Sequence, residues 1–231
     1  MRKSVPLLGA FLLAGAVAAL ECAEAARSRT KETADQTQID DLVAANRILS
    51  DQGVVDGFGH VSARHEEEAT RFLLARSMAP GLVTADDIMR FDLDGNALDP
   101  RGRTLYVERF IHSEIYKAYP KIKAIVHSHS PSIIPFGATS VPLRPIYHMS
   151  SFLGAGVPIF EIREAGGPAT DMLIRNPELG AALASFLDQN WLEGLDRSAA
   201  GHFTAVLEKL RHRGLLSLER APVVSTAPTD G

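Results

Sequence analysis

The apolar run Ile122-Lys123-Ala124-Ile125-Val126 leads straight into His127-Ser128-His129. Residues two apart on an extended backbone point to the same side, so a strand here carries both imidazoles to its end together. Upstream, Leu105, Val107, Phe110, Ile111, Ile115, Tyr116 and Tyr119 recur at helical spacing. They predict a helix from Thr104 to Tyr119, with Pro120 close behind to stop it. Glu108 and Glu114 ride on that helix.

The flanking segments also mix the two periods. Ile39, Leu42, Val43, Ile48 and Leu49 predict an opening amphipathic helix. His60 to Arg64 and Arg71 to Ala75 read as a hairpin pair after a turn rich in Gly53, Gly57 and Gly59, with His65 in an exposed acidic loop between them. Thr84 with Asp87 can cap a short helix, and Asp94-Gly95-Asn96 marks a tight turn in a second hairpin from Met89 to Leu98. Pro131 to Phe136 reads as a short helix, Val157 to Ile162 as an edge strand, and Pro177 to Leu187 as a helix started by Asn176. Strands interleaved with helices indicate an α/β or α+β sandwich.

A lone pair of histidines at this spacing has two readings, a hydrogen-bonded pair on a strand face or two ligands of one metal. Delivery to a strand end favours ligation. The only cysteine, Cys22, excludes a disulfide framework, a Cys-based zinc site and a CxxC pair, so any metal must be held by histidine and carboxylate. A net charge of -4 leaves no basic surplus for phosphate backbones, which argues against a nucleic-acid partner and for a small-molecule one. At 231 residues and 45% hydrophobic content, the chain suits one globular domain.

Arg2 and Lys3 precede an apolar run from Ser4 to Leu20, and Ala23-Glu24-Ala25 offers a small-x-small cleavage site. The expectation is a signal peptide over 1–25 and export, to the periplasm if the source is bacterial. The run falls short of the roughly 20 apolar residues that span a bilayer, so no stable membrane span is expected. Polar residues 26–37 read as a linker, 38–188 as the folded domain, and 189–231 as a divergent terminal segment.

Taken together, Glu108 to Tyr116, Tyr119-Pro120 and Ala124 to Ser130 resemble the core signature of the class II aldolase/adducin family. Gly57-Phe58-Gly59-His60-Val61-Ser62-Ala63-Arg64 resembles its glycine-rich turn and first strand. The resemblance implies a three-layer α/β/α sandwich with a central mixed or mainly antiparallel sheet, in a homo-oligomer, commonly a tetramer. It further implies a metal-dependent lyase using a divalent ion, zinc first, with manganese or iron as alternatives. On that likeness His127 and His129 are ligands and Glu108 is the acid/base. Retro-aldol cleavage and decarboxylation both leave negative charge that a divalent cation stabilises while a carboxylate moves the proton.

Two departures from the family pattern shape the expectation. Where its sugar-phosphate aldolases carry an asparagine and a pair of serines, this chain has His60 and Tyr106-Val107. The substrate is therefore expected to be a small unphosphorylated hydroxy or oxo acid or sugar, met by His60, Ser62, Tyr106 and His148. The family's third metal histidine, in a His-Gly step, has no counterpart in Asp188 to Gly194, which leaves His148, His202 and His212 as candidates. That gap keeps a non-catalytic, adducin-like assembly domain as the alternative.

Overall fold

The computed structural model of the chain describes residues 35–153 and 156–187. The expected signal peptide, the segment 189–231 and the candidates His202 and His212 lie outside the described residues. The first described helix, α1 (35–51), begins inside the expected linker, whose boundary is corrected accordingly. Tertiary bonds explain the longer helix. Asp35 accepts from Arg90 at 2.9 Å and lies 3.2 Å from His65 Nε2, and the Gln38 amide donates to the Arg64 carbonyl at 2.7 Å.

A four-stranded sheet forms the middle layer, in the order β3-β2-β1-β4. Its strands are β1 (His60–Arg64), β2 (Arg71–Ala75), β3 (Ile88–Asp92) and β4 (Ala124–His127), and every pairing is antiparallel. The β1–β2 hairpin and the Thr84–Asp87 capping box are as expected. His65 corrects the expectation of an exposed loop residue. It is buried, its Nδ1 accepts the Glu68 N–H at 3.1 Å, and its Nε2–H is thereby left to meet Asp35.

Alternation along the strands decides the layers. Ser62 pairs with Leu74 and with Ile125, Arg64 pairs with Phe72, and Phe72 pairs with Phe91, so these side chains share one face. That face meets helix α2 (Arg109–Ala118): Ser62 Oγ bonds His112 Nδ1 at 2.6 Å and Tyr116 OH at 2.8 Å, and the Phe72 ring lies tilted against that of Tyr116. Val61, Leu73 and Arg90 point the other way, toward α1, whose Leu42, Val43 and Ala45 join the same core. The result is the three-layer α/β/α sandwich, with a fully antiparallel sheet among the described residues.

Helix α2 starts at Arg109, later than its periodicity suggested, and Glu108 occupies the N-cap position instead of the helix body. The cause is Tyr106. Its ring is buried and its hydroxyl donates to the Met78 carbonyl, while Arg109 reaches the carbonyls of Gly95 at 2.8 Å and Tyr106 at 3.0 Å. At the other end of α2, buried Arg64 donates to the carbonyls of Tyr116 at 2.6 Å, Tyr119 at 3.2 Å and Ile122 at 2.9 Å. One guanidinium thus satisfies carbonyls that the helix end leaves without partners and fixes the turn into β4.

The outer face of α2 packs on α5 (Pro177–Phe186), which Asn176 caps by accepting the Leu179 N–H at 2.9 Å. Phe110, Ile111, Ile115, Ile162, Ile174 and Ala184 form this second core. The short helices α3 (Ile134–Ala138) and α4 (Ile162–Gly166) complete the order. The expected strand over 157–162 is absent: Pro158 has no N–H for a ladder, and Glu161 turns the chain into α4 by accepting the Arg163 N–H at 3.0 Å. The helix expected at Pro131 begins instead at Ile134.

Candidate metal centre

Strand β4 ends at His127, and the chain continues through Ser128 to His129. The two imidazoles meet edge-on with their rings 79° apart and their Nε2 atoms separated by 2.8 Å. Glu108, brought by the turn before α2, places Oε2 3.7 Å from His127 Nε2. One ligand atom each from Glu108, His127 and His129 lies within 4.8 Å of the others. The three are largely sheltered, with side-chain exposures of 15%, 13% and 37% respectively, so the cluster opens on the His129 side.

Each donor is held from behind. Glu108 Oε1 accepts the Ile174 N–H at 3.3 Å, which leaves Oε2 facing the imidazoles. His129 Nδ1 lies 3.2 Å and 3.3 Å from the two oxygens of Asp56. A carboxylate accepts, so Nδ1 carries the proton and Nε2 of a neutral His129 keeps its lone pair for the cluster. Asp56 is fixed in turn by the N–H groups of Phe58 at 2.9 Å and Gly59 at 2.8 Å. Burial raises its carboxyl, but those two N–H groups and His129 outweigh it and hold Asp56 below its ordinary value. Burial also pulls His127 down, against the opposing pull of Glu108. Burial thus keeps His127 neutral more readily than a free imidazole.

This donor set fits a divalent cation. Among the described residues, two imidazole nitrogens with a carboxylate beside them suit zinc, iron or manganese, the carboxylate being free either to ligate or to carry a proton. The 2.8 Å between the Nε2 atoms requires a shared proton, donated by His127 because His129 Nδ1 already holds its own. Two bonds of 2.0–2.1 Å at a tetrahedral angle need about 3.3 Å between nitrogens, so exchanging that proton for a cation asks each ring to move by only a few tenths of an ångström.

The other expected site residues do not join the three-residue cluster. Ser62 and Tyr106 are buried with inward partners, and His60 is 1% exposed between the Tyr106 and His127 rings. His148 opens the 3-10 turn His148–Leu153, exposed and outside the cluster, its ring against Tyr147. His112 lies on helix α2. It is fully buried against Ser62, 4.8 Å from the His60 ring, and burial drives it well below its ordinary value. Sequence reading missed Asp56, whose signal was an Asp two residues ahead of Phe58-Gly59, the spacing of a side chain that caps its own turn. Beside the ligand segment, Ser128, Ser130, Ile133, Ile134, Phe136 and Pro158 help line a mostly apolar cavity of about 380 Å³.

No helix of the described residues is long and apolar enough to cross a membrane. Residues 40–192 match the model of the class II aldolase and adducin N-terminal domain. Decarboxylase tropJ of Talaromyces stipitatus is 36% identical over 200 residues, covering 81% of this chain and 75% of the relative. A 3,4-dihydroxyphthalate decarboxylase of Arthrobacter keyseri is 29% identical over 157 residues, and the chain spans 59% of its length. Among solved structures, an L-fuculose 1-phosphate aldolase from Glaciozyma antarctica PI12 superposes with a TM-score of 0.53 at 25% identity, covering 67% of this chain and 58% of that one. An aldolase II superfamily protein from Pseudomonas syringae has the same fold at a TM-score of 0.53 and 20% identity, over 78% of this chain and 94% of that one. Matching signature, matching domain and matching fold lead to one conclusion: the chain belongs to the class II aldolase/adducin family.

Proposed function

We propose that this chain is a metal-dependent lyase that breaks a C–C bond in a small, unphosphorylated hydroxy or oxo acid, with decarboxylation as the reaction. The convergence of Glu108, His127 and His129 within 4.8 Å carries the reading. The names of the relatives from Talaromyces and Arthrobacter support decarboxylation over aldol cleavage, and the second points to an aromatic hydroxy acid. A mostly apolar cavity beside His129 has the size of a small-molecule site and suits such a carbon skeleton.

His127 and His129 would hold the cation, zinc by preference, through Nε2. When bound, the cation draws off the negative charge that develops as the C–C bond breaks. Asp56 keeps His129 in the ligating tautomer. Glu108 holds the proton at Oε2 and delivers it to the carbon that loses the carboxyl group, while the Ile174 N–H fixes Oε1 and prevents the carboxylate from turning. A decayed, purely structural site would have no reason to keep these donors converged, which disfavours the adducin-like alternative.

Elemental analysis of the purified protein tests this directly. Near-stoichiometric zinc in the wild type, lost in His127→Ala and His129→Ala, is expected, and retention by both variants would remove the proposal. Glu108→Gln should keep most of the metal yet lower turnover of an aromatic hydroxy acid by 10²-fold or more. Export rests on the N-terminal charge and apolar pattern. Assembly into a homo-oligomer rests on the family resemblance, with the exposed Val126 and Val141 as candidate contacts, and sedimentation would reveal it.

A further inference from the structure

A metal-ligating imidazole needs its ring plane fixed as well as its tautomer, because the ligand lone pair lies in that plane. His129 obtains both from Asp56. His127 has no such partner, since among the described residues no acceptor meets its Nδ1. What it has instead is a flat surface. His60 lies directly opposite His127 across the β1–β4 ladder, and the two rings are 4.8 Å apart at 25°.

His60 is itself clamped. Its other face stacks on Tyr106 at 4.2 Å and 8°, its Nδ1–H donates to the Phe58 carbonyl at 3.2 Å, and His112 lies beneath at 4.8 Å and 44°. Tyr106 is tied to both backbone groups of Met78. At 1% and 7% exposure, His60 and Tyr106 have no surface to offer a substrate. Nor does His60 join the ligand set, because two rings stacked nearly parallel cannot aim in-plane lone pairs at one ion between them.

Asp56 and His60, the first residue of β1, bound a single turn, 56–60, stapled by the Phe58 and Gly59 N–H groups on Asp56 and by the His60 bond to the Phe58 carbonyl. The turn also presses on the ligand segment. A Cβ at Gly59 would stand 2.7 Å from Val55 Cβ and 3.0 Å from the His127 carbonyl, so only glycine allows this approach.

We propose that the turn 56–60 is one positioning device for both imidazoles, with Asp56 holding His129 through a hydrogen bond and His60 holding His127 through face contact. This rests on reading the two histidines as metal ligands. It replaces a substrate-contacting role for His60 and Tyr106 with one exerted through His127.

Cobalt(II) titration of the full chain, followed by its visible spectrum, tests the device, with circular dichroism and thermal melting to establish folding. His60→Ala and Asp56→Ala should each weaken cobalt binding by roughly 10- to 100-fold and shift the ligand-field bands. His60→Phe keeps the flat ring and should bind within about threefold of wild type with an unchanged spectrum. Tyr106→Leu removes the clamp without touching a ligand and should weaken binding, which decides the matter should His60→Ala fail to fold. A folded His60→Ala or Tyr106→Leu with wild-type affinity and spectrum overturns the proposal, and so does a His60→Phe as weak as His60→Ala. A wild type that takes up no cobalt is a separate outcome, and it refutes the ligand reading itself.

Discussion

Lowering the pH from 7 to 5 in the presence of a chelator should cost the fold about 2 kcal/mol through His60, with His112 adding loss of the same sign. His60 and His112 are both buried, and Nε2 of each finds no partner among the described residues. Burial pushes His60 down to about 3, with His127 adding to the shift, and drives His112 well below its ordinary value. Both stay neutral in the fold yet take up a proton near pH 6.5 once unfolded. The unfolded state therefore binds more protons below that value, so stability is complete above pH 6.5 and declines as the pH drops toward the folded-state values. Far below pH 6.5 a group of this kind contributes a slope of about 1.4 kcal/mol per pH unit, so from pH 7 to 5 His60 loses about 2 kcal/mol and His112 adds loss of the same sign. Even the His60 part is a sizeable share of the roughly 5–15 kcal/mol that holds a domain together. Carboxylates titrate mainly below this window, and the depressed His127 adds loss of the same sign. Urea unfolding at the two pH values, extrapolated to water, measures the difference. A loss under about 1 kcal/mol, or a gain at pH 5, would refute the placement of two neutral imidazoles in the core.

Two further substitutions probe the frame around the site. Gly180→Ala gains about 1 kcal/mol of helix propensity, but its methyl would stand 2.5 Å from the Phe110 carbonyl and 2.8 Å from Glu114 Cγ. Backbone cannot step aside cheaply, so a net loss of about 1–2 kcal/mol in urea unfolding is expected, and equal or higher stability would contradict the α2–α5 contact. Ser62→Ala strands His112 Nδ1 and Tyr116 OH inside the core, and the same measurement should show a loss of about 2–4 kcal/mol.

Much of the architecture was legible because its signals are local. The hairpin pattern of His60–Arg64 and Arg71–Ala75, the Thr84–Asp87 capping box and the Asn176 cap each need only a few neighbouring residues. The paired histidines were legible for the same reason, since their common side follows from strand alternation. What sequence could not reveal was set at long range. Tyr106 is withdrawn from the predicted helix by Met78, 28 positions away, and that places Glu108 at the N-cap. Asp35 buries His65 by reaching it from α1. The Asp56–His129 contact spans 73 positions, and no local spacing announces it.

The position of Glu108 links the outer layer to the chemistry. Its Oε1 is held by the Ile174 N–H, and Ile174 is buried in the core that α5 shares with Phe110 and Ile111. Helix α5 therefore contributes no donor to the cluster yet determines where Oε2 points, through the short stretch between Ile174 and its Asn176 cap. Close contact at Gly180 keeps that stretch against the start of α2. An added methyl there pushes Ile174 away from Glu108 as well as loosening the helices. Because a misplacement of about 1 Å can cost 10²-fold in rate, turnover in Gly180→Ala should drop by more than its stability loss alone explains, while His127 and His129, anchored on the far side by the turn 56–60, keep their hold on the metal.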